Sequence, residues 1–259
     1  MTSVTLIDAN SIICRYQPIV RLRDGLPIAA EVLTRLAGPD GTVAGPEALV
    51  AALHDPAESL RLTRLVIESA AADAERENLT DLPLSFGFNL PLDVLMAPKL
   101  LETVETMRCD AGAAVHSVSF ELTETRPIED FERVHPVIEA LREAGYRLAL
   151  DDVTQATPNL QELLALPFRA VKLDRSEVAG AAGDPDSVAF IREVVALAGP
   201  SRMAVIAEGV EDEPTLHAMH QLGVTHVQGY LLARPLPPAE LRPWLEAWPS
   251  NGLFPLYPV

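Results

Sequence analysis

Carboxylates and amides recur at the ends of apolar, β-rich runs along this chain. Glu31 follows "IAA", Asn89 sits in "LSFGFNL", Glu121 in "VSFELTE", Asp151 and Asp152 in "YRLALDD", Glu208 in "MAVIAEG" and Gln228 in "HVQGYLL". One lysine, Lys172 in "RAVKLD", belongs to the same series. Acids gathered in one place repel one another and lose hydration, and bound divalent cations remove that cost. Oxygen-only ligands with an amide oxygen from Asn89 suit Mg²⁺ or Mn²⁺, whereas zinc prefers histidine or cysteine. The carboxylates exceed what one Mg²⁺ usually takes from protein and point to two ions, about 3.5–4 Å apart, which activate water and stabilise a leaving oxygen in phosphoester cleavage. Asp151 is then the natural bridging ligand. Asp152 has the opposite strand parity and joins only if the chain bends at the strand end.

The elements that must position these residues follow a repeating plan. From about residue 84 a β-rich run, a turn and a capped helical segment alternate. Asp130, Asp184-Pro185 and Asp212 mark helix starts, and Gly145, Gly199 and Gly223 mark helix ends. Upstream, "RYQPIVRL" and "IAAEVLTRL" read as two strands joined by "RDGLP", with helices expected near 46–54 and 59–78. Such alternation implies a largely parallel sheet, and about eight strands suggest closure into an α/β barrel. Parity then decides which residues meet. Phe86, Phe88 and Leu90 share one strand face and Ser85, Gly87 and Asn89 the other; Val171 and Leu173 oppose Ala170, Lys172 and Asp174. With the apolar faces packed on outer helices, Glu31, Asn89, Glu121, Asp151, Lys172, Glu208 and Gln228 converge on one mouth, near the strand C-terminal ends where barrel enzymes keep their active sites.

Bulk composition agrees with that plan. A length of 259 residues suits one barrel of about 250, no Gly/Ser tract divides the chain, and 48% hydrophobic residues supply a core. The net charge of −17 argues against a nucleic-acid polymer or an anionic membrane as partner, since both require clustered Lys and Arg. Cys14 and Cys109 lack metal or disulfide spacing and are expected to be buried thiols in a reducing, cytoplasmic setting. No apolar run approaches the ~20 residues of a membrane span, and "MTSVTLIDAN" lacks a basic region followed by an apolar stretch, so no membrane insertion is expected.

The ordered set of motifs resembles the EAL family of cyclic di-GMP phosphodiesterases over nearly the whole chain. The signature Glu-Ala-Leu stands here as Glu31-Val32-Leu33, after "YQPIV" and before Arg35; "FNLP", "ELTE", "DD", "VKLD", "AEGVE" and "QGYLLARP" follow in family order. The resemblance implies a single domain over 1–259 with its core at about 14–248, folded as a (β/α)8 TIM-type barrel with one antiparallel strand. It further implies two Mg²⁺ or Mn²⁺ ions, hydrolysis of cyclic di-GMP to linear pGpG, and a tendency to form a homodimer. By residue, it implies that Glu31, Asn89, Glu121 and Asp151 bind one metal and Asp151 and Asp152 the other, with Glu208 beside the second. Lys172 positions or deprotonates the attacking water. Gln17, Leu33, Arg35, Asp174 and Gln228 bind substrate, Arg35 through a phosphate, and Glu124 and Glu211 anchor the loop after the aspartate pair.

Two departures accompany the resemblance. The family's Gly-rich loop after the aspartates is replaced by "VTQATPN" at 153–159, in which Val153 and Pro158 restrict the backbone that glycine would free. The family's leading helix, expected to cover the barrel bottom, is shortened to "DANSIICR". The altered loop raises an alternative to turnover: a catalytically impaired EAL domain acting as a cyclic di-GMP receptor or a protein-interaction module.

Overall fold

The computed structural model describes residues 11–38, 42–45, 56–123, 131–181 and 183–249. In chain order the elements are β1 (Ile12–Arg21), β2 (Leu26–Ala37), β3 (Val43–Ala44), α1 (Pro56–Arg76), β4 (Ser85–Pro91), α2 (Leu100–Asp110), β5 (Val118–Thr123), α3 (Phe131–Glu143), β6 (Arg147–Val153), α4 (Leu160–Ala165), β7 (Ala170–Leu173), α5 (Arg175–Gly180), α6 (Pro185–Ala198), β8 (Ala204–Ala207), α7 (Glu213–Gln221), β9 (His226–Val227) and α8 (Pro238–Ala247). Strands β1, β9, β8, β7, β6, β5, β4 and β2 pair in that order and β1 returns to β2, so eight strands close into a ring with β3 appended to β2. β1 is antiparallel to both of its neighbours, and the remaining ring pairings are parallel. This is the TIM-type barrel with one antiparallel strand.

The apolar strand faces are what hold it together. Phe88, Leu90, Phe120, Leu122, Leu148, Leu150, Val171 and Leu173 share one core with Leu62, Val66 and Ile67 of α1, Ile138 and Leu141 of α3, and Ile191 and Val194 of α6. Each such side chain contributes roughly 1.5–3 kcal/mol by leaving water. Polar residues are thereby driven to the inner face. The helix caps follow the sequence signals: Asp184 accepts from Asp186 N and Asp212 from Thr215 N, while Asp130 lies outside the described residues. Trp244 and Trp248 pack ring to ring at 4.6 Å, and Trp248 Nε1 donates to Gly25 O at 2.9 Å, tying the end of α8 to the β1–β2 hairpin.

Several expectations change. Gly145 and Gly223 do adopt left-handed backbone, at φ 99° and 86°. Gly199 stays right-handed at φ −56°, and the left-handed reversal after α6 falls on Arg202 at φ 55°. The strand expected over 226–232 shortens to His226–Val227, because Gln228 to Leu231 turn back to bond Val210, whose N–H donates to Gln228 O and whose carbonyl accepts from Leu231 N. Cys14 is buried, but Cys109 is exposed on α2. The helix expected near 46–54 lies outside the described residues, as do residues 1–10 of the leading segment. Ile12 pairs with Leu36, five residues beyond the Gln17–Glu31 pair, so β1 enters at the acid-bearing rim and not at the barrel bottom. Among the described residues no helix is long and apolar enough to cross a membrane.

Gly229 packs so closely that an added Cβ would lie 2.1 Å from Val210 O and 2.3 Å from Val210 N. Backbone cannot yield there without moving Gln228. Gly229→Ala is expected to cost about 3 kcal/mol or more, read as a lowered denaturation midpoint; an unchanged midpoint would contradict the packing.

Candidate metal-binding and catalytic site

Lys172, central in β7, is fully buried and faces the barrel interior. Its Nζ lies 3.2 Å from Glu31 Oε2, 2.6 Å from Glu121 Oε2, 2.9 Å from Asp151 Oδ1 and 2.5 Å from Glu208 Oε1. An ammonium has three donors, so four carboxylates cannot all be satisfied. Hydrogen-bond geometry is met towards Glu31 and Glu121. Asp151 Oδ1 and Glu208 Oε1 meet Lys172 as ion pairs without that geometry, and buried Gln228 Oε1 has no hydrogen-bond partner among the described residues.

Amides complete the ring around Glu31. Its Oε1 accepts from Asn89 Nδ2 at 3.2 Å and its Oε2 from Gln228 Nε2 at 2.7 Å. Gln17, paired with Glu31 across β1–β2, accepts from Gln228 and donates to Ala233 O. Asn89 therefore serves Glu31, and the short 3-10 turn after it, Leu92–Met96, has no side-chain cap. Glu121 reaches the centre because β4 offers Gly87 beside it: a Cβ on Gly87 would lie 2.1 Å from Glu121 Oε1. Composition alone leaves that glycine inconspicuous, although it falls between Phe86 and Phe88 on the inward parity that selects the site.

The bend that brings in Asp152 is a β-bulge. Leu150 pairs with Val171 and Val153 with Leu173, so Asp151 and Asp152 together stand opposite the single residue Lys172. A bulge of two residues against one redirects a side chain that strict alternation would send outward. Asp152 takes φ 53°, a left-handed conformation that aspartate tolerates better than most residues. As a result Glu31, Glu121 and Asp151 each present an oxygen within 4.8 Å of one another, and so do Asp151, Asp152 and Glu208. Asp151 is common to both sets.

The remaining predicted residues fall in different places. Leu33, Arg35, Asn89, Asp152 and Glu208 line a cavity of about 340 Å³ above Lys172. Arg35 Nη1 donates to Thr34 O. Asp174 does not line the cavity; it caps α5, accepting from Ser176 N at 2.8 Å and from Ser176 Oγ. Glu211 is exposed on the loop before α7, away from the cavity wall, and Glu124 lies outside the described residues. A glutamate outside the predicted set also contacts the altered loop. Buried Glu177 of α5 accepts from Gln155 N at 3.0 Å and Gln155 Nε2 at 2.9 Å, and from Ser187 Oγ at 3.2 Å. The loop also closes on itself, through Thr154 N to Thr157 Oγ1 and Ala156 N to Thr154 Oγ1. Left-handed Asp152 and Asn159 bracket it where glycines would otherwise be needed.

Electrostatics divides the acids. Burial alone would raise Glu31, but the Lys172 charge and the Gln228 and Asn89 amides outweigh it and hold Glu31 below its ordinary value. Burial dominates at Glu121 and Asp151, both raised despite Lys172. Glu208 is pushed up to about 8, and Asp152 to about 6, chiefly by desolvation and then by Asp151. Burial would lower Lys172, yet the surrounding acids hold it well above its ordinary range. The set carries more negative charge than one ammonium balances, and its two oxygen clusters fit divalent cations with oxygen ligands.

An eight-stranded barrel with one antiparallel strand and two oxygen-ligand clusters sharing an aspartate at its C-terminal rim defines the class: a barrel domain with an acid-lined active-site mouth. The chain belongs to the EAL domain family, which it matches over residues 3–235. It is 32% identical over 222 residues to the cyclic di-GMP phosphodiesterase RocR of Pseudomonas aeruginosa, covering 86% of this chain and 57% of RocR. To the cyclic di-GMP phosphodiesterase PA2567 of the same organism it is 30% identical over 231 residues, covering 89% of this chain and 39% of that one. The chain thus spans less than two thirds of either relative. Among solved structures, the EAL domain of Mycobacterium smegmatis DcpA superposes with TM-score 0.73 at 27% identity, covering 93% of this chain and 98% of that one. The PaMucR phosphodiesterase, solved as a c-di-GMP complex, shares the fold with TM-score 0.79 at 24% identity, covering 90% and 94%.

Without metal, protonated Asp152 and Glu208 favour the fold, because their folded values lie above the ordinary 3.8 and 4.5. That stability is complete below about pH 4 and is lost as pH rises through about 6 and about 8. The melting temperature in EDTA is therefore expected to fall from about pH 5 to about pH 8, and Mn²⁺ to raise it more at the upper end. A melting temperature that climbs over this window in EDTA would contradict the charge balance described.

Proposed function

We propose that this domain hydrolyses cyclic di-GMP to linear pGpG with Mg²⁺ or Mn²⁺. The observation that carries the proposal is Asp151, shared between two oxygen clusters. Glu31, Asn89, Glu121 and Asp151 would hold one ion, and Asp151 and Asp152, with Glu208 beside them, the other. Bound there, the ions would activate water and stabilise the leaving oxygen. Lys172, kept charged by its acids, suits orienting the attacking water better than deprotonating it. Glu208, 2.5 Å from Lys172 Nζ, would share in that positioning. Arg35 contacts a substrate phosphate, while Gln17, Leu33 and Gln228 shape the pocket around the nucleotide. Asp174 contributes by fixing α5, and Glu124 and Glu211 retain only the anchoring roles the family suggests. The proposal extends to one barrel domain over 1–259, with its core at about 14–248, working in the cytoplasm with cyclic di-GMP as partner and as a homodimer.

The altered loop supports turnover over the receptor alternative. Its own threonines, the Gln155–Glu177 clamp and the left-handed Asp152 and Asn159 give it a defined course without glycine. That course leaves Asp152 within reach of Asp151 and Glu208.

The test is incubation of the chain with cyclic di-GMP and Mn²⁺ or Mg²⁺, with pGpG followed by chromatography. Product is expected, and Glu31→Ala should reduce it by about 10²-fold or more, since several kcal/mol of charge stabilisation depends on the metal site. Nucleotide binding by calorimetry with no pGpG at any metal concentration would refute turnover and favour the receptor, in which case a Gly-rich loop should restore activity. Gln155→Ala is expected to lower kcat by up to about 10²-fold through displacement of the aspartates by ~1 Å; unchanged kcat would show that the clamp does not position them.

A further inference from the structure

We infer that the opposite, N-terminal mouth of the barrel is a binding site for a compact small molecule of the polyphosphate class, carrying three or more negative charges. Below the acid set lies a small apolar cluster of Ile19, Ala29 and Ile206, separate from the main core. Beneath it the strand starts present Ser85, Ser119, Ala170 and Ala204, where barrel interiors are ordinarily filled by bulky branched side chains. The small side chains leave a cavity of about 420 Å³, within the range of small-ligand pockets.

The wall of this cavity includes Arg21, Arg23, Arg147, Arg169 and Arg202. These are 5 of the 20 Lys and Arg residues in a chain of net charge −17, so their gathering at one mouth is the reverse of the chain's overall balance. Arg21 is bound by Asp24 at 2.6 Å, and Arg23 approaches the same carboxylate at 3.5 Å. Arg147, Arg169 and Arg202 are exposed, and no side-chain hydrogen bond or ion pair joins them to the described residues. The one acid on the wall, Glu121, directs its carboxylate away to Lys172. His226, also on the wall, is held down at about 4 by burial and by Arg21 and Arg23, and is neutral at pH 7.

Three unneutralised guanidiniums around a recess call for about three negative charges, and the guanidinium fork matches phosphate oxygens bidentately. A recess of this size takes a small molecule rather than a flat macromolecular face. The site opens at the opposite end of the barrel from the acid-lined cavity, and the one acid it shares, Glu121, points its carboxylate at Lys172.

Calorimetry on the full chain in EDTA, with inorganic tripolyphosphate and with ATP as probes, tests the assignment. One-site binding is expected, weakening with added NaCl, and weakening about tenfold or more in Arg169→Ala and in Arg202→Ala. Glu31→Ala, at the opposite mouth, should bind as tightly as the parent. Tighter binding of ATP would show that a nucleoside enters the lower barrel, and equal binding that phosphates alone are recognised; either upholds the site. Circular dichroism confirms folding, and Arg202→Lys, which keeps charge but loses the fork, should fall between parent and alanine variant. Absence of binding, equal affinity in the arginine variants, loss in Glu31→Ala, or stronger binding of a Glu-rich peptide would overturn it.

Discussion

The structure turns on one buried ammonium set against four carboxylates. Lys172 touches Glu31, Glu121, Asp151 and Glu208 inside the barrel, and its three protons cannot serve them all. Such a cluster is weak evidence for stability, since the cost of desolvating the charges competes with their attraction. Its presence in an otherwise apolar barrel makes physical sense when further cations complete the balance. The two carboxylate clusters that share Asp151 lead to the same conclusion.

Backbone devices make that cluster possible. Eight strands with apolar outer faces bring one inward residue from each to a common axis, but alternation alone cannot deliver two adjacent aspartates. The β6 bulge does so, at the expense of a left-handed Asp152. Gly87 vacates the volume that the Glu121 carboxylate fills, and Gly229 lets the chain after β9 press against Val210 so that Gln228 reaches Glu31. Beyond the bulge, Gln155 and Glu177 replace glycine-dependent turns with side-chain hydrogen bonds. A loop short of conformational freedom is thereby held by specific contacts, and its rigidity falls directly behind the aspartates.

The barrel is also electrically polar. Acids crowd its C-terminal mouth and arginines its N-terminal one, with the Ile19, Ala29 and Ile206 cluster between. Three of those arginines have no side-chain partner among the described residues. The same net charge of −17 that speaks against a polyanionic surface thus conceals one cationic recess.

Much of this was legible before folding was considered. Strand parity places Glu31, Asn89, Glu121, Asp151, Lys172, Glu208 and Gln228 on one inner face, because alternation is a local property of extended chain. The same local logic marks the Asp184 and Asp212 caps. It overextended the strand at 226–232, because where that strand ends depends on the contact of Gly229 with Val210. Nor could it show that Asp174 is committed to Ser176, that Glu177 clasps the loop through Gln155, or that five arginines from separate segments share one mouth. Short-range periodicity specifies the barrel and the residues that face its axis. Which acids share Lys172, how Asp152 turns inward and what secures the loop depend instead on register, a bulge and contacts between residues far apart in the chain, and so emerge only on folding.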